Sequence, residues 1–226
     1  MDSRNLKRIT VFAGHYGSGK TNIAVNYALK LASENKSVAI ADLDIVNPYF
    51  RTKDSEKILT DAGIRLISSP YANTNVDTPA LPAEAYSVIH DGSKYSVIDV
   101  GGDDRGALAL GRYMPDILKQ NDYEMVFVIN KYRYLTSTPE DTVEVMREIE
   151  LAAGAGFTAI VNNSNLGEET TAEVVLSSAK YAESISKLTG LKIMFTSVKE
   201  DLFDELDGQI NNLFPIGLYV RQSWLR

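Results

Sequence analysis

Residues 14–21, Gly14-His15-Tyr16-Gly17-Ser18-Gly19-Lys20-Thr21, read G-x-x-x-x-G-K-T, a spacing that cradles phosphate chains. Gly14, Gly17 and Gly19 allow torsions that a Cβ would forbid, so that successive N–H groups can turn inward on an anion. Lys20 supplies a point charge to the outer phosphates and Thr21 a hydroxyl for Mg²⁺. A helix beginning here turns its positive end toward the same anion. A glycine-rich turn that binds nothing would use the same letters, but the flanks favour a ligand. Ile9, Val11 and Phe12 read as a buried strand, and Asn22 to Leu31 continues at helical spacing.

Acids follow at the ends of two further apolar runs. Ser37 to Asp44 reads as a strand apolar on both faces, with Asp42 and Asp44 at its carboxyl end, where open α/β sheets place ligands. In an extended chain these two carboxylates point to one face and could approach one Mg-nucleotide. Tyr95 to Val100 ends at Asp99, followed by Gly101 and Gly102. The Asp99 carboxylate can hold Mg²⁺ directly or through water, as a Walker B acid does. Gly101 and Gly102 allow the backbone to approach a γ-phosphate and to move when it leaves, the behaviour of a switch segment that Asp103, Asp104 and Arg105 extend. Residues 44–54 are the other candidate switch.

These groups need a scaffold, and the chain has the material for one. At 226 residues, 44 % hydrophobic and 23 % charged, it can bury a substantial core in a single domain over 1–226. The net charge of −7 argues against non-specific nucleic-acid binding, which needs clustered Lys and Arg. With no cysteine there is neither a disulfide nor a thiolate-held zinc or iron–sulfur site. No stretch reaches the apolar length of a membrane span and the first residues lack a signal-peptide pattern, so a cytoplasmic location is the expectation.

Helices are expected over 55–62, 81–90, 107–118, 168–188 and 198–206. A further helix opens at Thr138-Pro139-Glu140-Asp141 with a cap, a proline and early acids. Strands are expected over 64–67, 125–130, 157–163 and 191–197, and the tail 212–224 could add an edge strand. Strands and helices therefore alternate throughout, which predicts a doubly wound, mainly parallel sheet of about seven strands with helices on both faces. The loop 68–82 is rich in Pro, Asn and Thr. Lys131-Tyr132-Arg133-Tyr134 forms a basic–aromatic cluster on the ligand side of the sheet.

The order Gly14 to Thr21, Asp42-x-Asp44, Asp99-x-Gly-Gly resembles the MinD/ParA group of P-loop ATPases over essentially the whole chain. That wider class includes nitrogenase iron protein, dethiobiotin synthetase and the signal-recognition GTPases. The resemblance implies that ATP and Mg²⁺ are the cofactors. Lys20 and Asp44 would be catalytic, with Asp44 orienting water, and Thr21, Asp42 and Asp99 would serve the metal. Nucleotide contacts would come from the loop Gly14, His15, Tyr16, Gly17, Ser18 and Gly19, from Asn22 behind it, and from Gly102. By the same resemblance Asn162 or Asn163 would read adenine, and a second base-contacting loop would lie at 197–200, around Val198. The group carries a second P-loop lysine that acts across a dimer; His15 stands there instead, so a homodimer would not use that contact. His15, Arg51, Lys53 or Arg105 could take over the charge.

Asn130-Lys131-Tyr132-Arg133 approaches the [NT]-K-x-D run that reads guanine but ends in Arg, which cannot accept hydrogen bonds. ATP is therefore expected over GTP. The leading functional expectation is a Mg-ATP-dependent switch or ATPase with a protein partner. A kinase or ligase-like enzyme with a small-molecule acceptor near 71–86 is the second, and a nucleotide sensor without turnover the third. The tail's Pro215 and Gly217 argue against a MinD-type membrane helix.

Overall fold

A computed structural model describes residues 6–44, 55–68 and 84–219. Its centre is an eight-stranded sheet in the order β3-β2-β4-β1-β5-β6-β7-β8, parallel at every pairing. The strands are β1 (Ile9–Ala13), β2 (Val38–Asp42), β3 (Arg65–Ile67), β4 (Tyr95–Asp99), β5 (Tyr123–Ile129), β6 (Ala159–Asn162), β7 (Lys192–Lys199) and β8 (Leu213–Ile216). The eighth is the expected edge strand of the tail. It pairs with β7 through Thr196↔Leu213 to Lys199↔Ile216.

Side-chain alternation splits the core into two layers. Ile9, Val11 and Ala13 of β1, with Met125, Phe127 and Ile129 of β5, point to one face. There they meet helices α3 (Ala85–His90), α4 (Asp104–Gly111), α5 (Met114–Gln120), α6 (Pro139–Ala153) and α7 (Ala172–Thr189). Phe12, Val126 and Val128 point to the other face, against α1 (Lys20–Ser33) and α2 (Glu56–Asp61). A strand covered on both faces has to be apolar at nearly every position, and β1 and β2 are buried throughout.

Several boundaries differ from expectation for local reasons. The helix expected over 107–118 is two, α4 and α5, because Pro115 has no N–H to donate and is accommodated in the first turn of a new helix. The helix expected from 168 begins at Ala172, where the Thr171 side chain accepts from the Val174 N–H; residues 167–169 form a 3₁₀ turn before it. Strand β7 runs on to Lys199 because β8 pairs with its last residues, so only a 3₁₀ turn (Glu200–Leu202) and the short α8 (Phe203–Leu206) remain of the helix expected from 198. The cap at Thr138 is as expected: its hydroxyl accepts from the Asp141 N–H.

The order places β1 between β4 and β5, so the loops leaving the carboxyl ends of β1 and β4 run beside one another. All of the expected loop 68–82 but Ser68, residues 45–54 with Arg51 and Lys53, and most of the 71–86 acceptor region lie outside the described residues. Among the described residues, no helix is long and apolar enough to cross a membrane.

Candidate phosphate-binding site

The loop after β1 turns on Gly19, which sits at φ 85° as the residue capping α1. A side chain is excluded there twice over. The left-handed backbone disfavours a Cβ, and any Cβ would run into the Asn163 amide. With glycine as cap, α1 has no capping side chain on its first-turn N–H groups among the described residues, and no acid in that turn. Those donors suit an anion. Ser18, 2 % exposed, has a buried hydroxyl with no hydrogen-bond partner among the described residues. An unsatisfied donor of this kind inside a glycine cradle is what a phosphate oxygen would complete.

Lys20 is 6 % exposed, and its Nζ donates to the His15 carbonyl at 3.2 Å. Burial pushes its ammonium below the ordinary lysine range, while the fields of Asp99, Asp44 and Asp103 pull the other way. The loop therefore holds a desolvated cation among three acids.

Asp42 and Asp99 are paired in register at the ends of adjacent strands, and both are buried. The backbone joins them as well, since the Leu43 N–H donates to the Asp99 carbonyl at 2.8 Å. Asp44 is reached by a turn rather than by strand alternation: its N–H donates to Asp42 Oδ1 at 2.9 Å. Its own carboxylate comes to lie over Gly101, where an added Cβ would be 3.2 Å from Asp44 Oδ1. Thr21 is half-buried one residue into α1. Two neighbouring carboxylates at strand ends are of the type a hydrated Mg²⁺ takes, which uses one or two protein acids and keeps positions for water and phosphate oxygens. Among the described residues there is no cluster of three or more acidic, His or Cys groups that could cage a metal.

The segment after Asp99 closes on the loop. A Cβ on Gly102 would stand 2.7 Å from Lys20 Nζ and 2.8 Å from the Tyr16 backbone. Only glycine lets these two chains touch. Asp103 then caps α4, its Oδ1 accepting from the Gly106 N–H at 2.9 Å.

The ends of β5, β6 and β7 grip the loop from the opposite side. Asn163 Nδ2 donates to the Ser18 carbonyl at 2.6 Å, and Asn163 Oδ1 accepts from Ser197 Oγ at 2.5 Å. Asn162 is fully buried; its amide donates to Ser178 Oγ and accepts from Ser164 Oγ. Arg133 Nε donates to the Gly17 carbonyl at 2.8 Å.

Not all the expected contacts are brought to the loop. Gly14 to Thr21, Asp44, Asp99 and Gly102 converge, with Asp42 beside them. Asn162 and Asn163 lie at the expected strand end, but both amides are engaged by protein groups, and Asn163 serves the loop rather than facing away from it. Val198 is 2 % exposed and packs with Ala172, Val175 and Leu206, because β7 continues through it. The Asn22 side chain is turned to the tail, donating to the Gly217 carbonyl and accepting from the Tyr219 N–H. His15 Nδ1 lies 3.0 Å from the Tyr16 carbonyl, and Arg105 is exposed on α4. Arg133, from the basic–aromatic cluster, and Ser197, from the expected base-contacting loop 197–200, instead bond to the Gly17 carbonyl and to Asn163 Oδ1.

No protein-family model matches the chain, and no curated protein matches it. Solved structures do. FtsY from Mycoplasma mycoides superposes with a TM-score of 0.60 at 19 % identity, covering 87 % of this chain and 62 % of that one. Cell division protein FtsY from Thermotoga maritima gives 0.57 at 21 % identity, over 85 % and 62 %. The signal recognition particle 54 kDa protein from Aeropyrum pernix, solved in complex with GDP, gives 0.55 at 17 % identity, over 87 % and 42 %. The chain thus spans about three fifths or less of these neighbours' length. The likeness defines an α/β P-loop NTPase fold. These neighbours belong to a branch separate from MinD/ParA, so the fold expectation is met and the MinD/ParA assignment is not supported.

Proposed function

We propose that this chain binds a Mg-nucleoside triphosphate at the loop 14–21 and acts as a nucleotide-dependent switch. The observation that carries this reading is the contact of Gly102 with both Lys20 and the Tyr16 backbone. A terminal phosphate reaching Lys20 has to enter where the segment after Asp99 already touches the loop, so its presence and loss are felt directly by residues 101–106.

In this reading Lys20 and the N–H groups at the start of α1 bind the phosphates, and the Ser18 hydroxyl finds its missing partner there. Thr21, Asp42 and Asp99 would hold Mg²⁺, which supplies charge neutralisation on the phosphate oxygens when bound. Asp44, lying over Gly101, would orient a water molecule for slow hydrolysis. The triphosphate we favour is ATP. Arg133, where a guanine-reading Asp would stand in the run from Asn130, is turned to the Gly17 carbonyl, and Asn162 to Asn165 at the end of β6 contain no carboxylate. GTP is the second reading, favoured by a fold neighbour solved with GDP.

Isothermal titration of Mg-ATP and Mg-GTP, with a phosphate-release assay, tests both. Lys20→Ala is expected to weaken binding by about 10- to 100-fold, the scale of a lost charge-assisted hydrogen bond. No binding of either nucleotide to the wild type would overturn the reading, and tighter GTP than ATP would reassign the base.

A further inference from the structure

The loop's carbonyls are held from outside by side chains of two different strand ends. Among the described residues every peptide bond is trans, so the C=O and N–H of one peptide unit point in opposite directions. When Arg133 Nε holds the Gly17 carbonyl outward, the Ser18 N–H of the same unit must point into the turn, where it meets the His15 carbonyl at 3.1 Å. The same His15 carbonyl receives Lys20 Nζ. One outward bond at Gly17 therefore sets an inward N–H and the oxygen that Lys20 rests on.

Arg133 does not stand on a loose surface loop. Its own N–H donates to the Asn130 carbonyl, and the Tyr132 N–H donates to Asn130 Oδ1. Thr136 Oγ1 also donates to the Asn130 carbonyl, and Tyr181 donates its hydroxyl hydrogen to the Thr136 carbonyl at 2.7 Å. Across the groove, Lys131 N–H is held by Ser164 Oγ. Among the described residues Arg133 has no ion pair, although the chain carries a net charge of −7. Its guanidinium is aimed at a backbone oxygen across 116 positions of sequence instead. A Cβ at Gly17 would lie 3.4 Å from Arg133 Nε, so the arginine lies flat on that glycine.

We propose that Arg133 is a positioning residue of the phosphate loop, acting through its Nε–H bond to the Gly17 carbonyl and not through its charge. Its effect on nucleotide affinity rests on the function proposed above, but its effect on the loop does not. Glutamine separates bond from charge at this position. The Nε2 of Gln is as many bonds from the backbone as the Nε of Arg, so Arg133→Gln keeps a donor at that reach and removes the cation.

Amide hydrogen exchange on the full chain is measured for wild type, Arg133→Ala and Arg133→Gln, following the peptide covering 14–21 with a β6–β7 peptide as internal reference. Exchange in 14–21 is expected to be about tenfold faster in Arg133→Ala, to return close to wild type in Arg133→Gln, and to leave the reference unchanged. Mg-ATP affinity is expected to fall by a similar factor in the alanine variant and to recover in the glutamine variant. Glutamine behaving like alanine would overturn the assignment to the bond, and wild-type exchange in the alanine variant would overturn any positioning role. Faster exchange in alanine and rescue in glutamine, with no nucleotide bound by the wild type, would support Arg133 while removing the proposed function.

Discussion

At the carboxyl ends of β1, β2 and β4 the chain presents a buried lysine, buried Asp42 and Asp99, and backbone contacts that only glycine permits. At the ends of β5, β6 and β7 it presents Asn163 and Ser197, bonded to each other, with Asn163 also holding the Ser18 carbonyl, and Arg133, which holds the Gly17 carbonyl. The first half of the sheet carries charge in a desolvated place, which is costly unless a ligand uses it. The second half carries hydrogen bonds already satisfied within the protein. Chemistry and support are thus divided about β1, the strand that leads into the loop.

The largest test of that division is Gly102→Ala. The added methyl must displace Lys20 Nζ or the Tyr16 backbone, and crowding of this kind costs about 1–3 kcal/mol. Triphosphate affinity is expected to fall by up to about 100-fold, with a smaller change in the thermal midpoint. Wild-type affinity by calorimetry would mean that the two chains separate freely and that the switch segment lies elsewhere.

Asn163→Ala probes the supporting half. It strands the buried Ser18 carbonyl and leaves Ser197 Oγ only its longer bond to the Asn162 carbonyl, at about 1–3 kcal/mol for an unsatisfied buried group. Urea denaturation should show the loss in stability, and affinity should fall with it, because the support reaches the loop. A variant as stable as wild type would dissolve the distinction between the two halves.

The smallest effect at neutral pH belongs to the buried phenols. Burial pushes Tyr27 and Tyr181 up to about 12 from an ordinary 10.0. Their contribution is fully present below about pH 10. Above it the unfolded chain gives up protons that the folded one keeps, so stability falls as pH rises toward about 12. Tyr181→Phe should flatten that alkaline slope and cost about 1 kcal/mol at neutral pH through the lost bonds to Thr136 and Thr142. An unchanged slope in urea titrations would show that the Tyr181 phenol ionises as readily in the folded chain as in the unfolded one.

The sequence by itself determined the sheet and the charged half of the site. Strands apolar on both faces, alternating with capped helices, admit little besides a doubly wound parallel sheet. The glycine–lysine loop and acids at strand ends then fall on one edge because parallel strands all end on the same side. Only the tertiary structure decided the supporting half. Asn163, Ser197 and Arg133 lie at strand ends that become neighbours only when β5, β6 and β7 align, so which loop carbonyl each one holds has no counterpart in local spacing. Val198 was misplaced for a related reason: β8, distant in sequence, extends β7 and draws that residue into the core. Asn22 follows Thr21 directly, but its side chain is claimed by the returning tail at Gly217 and Tyr219, a contact across nearly the whole chain. Local periodicity fixes which faces are buried, whereas which polar groups meet at a strand end is set by the order of strands in the sheet.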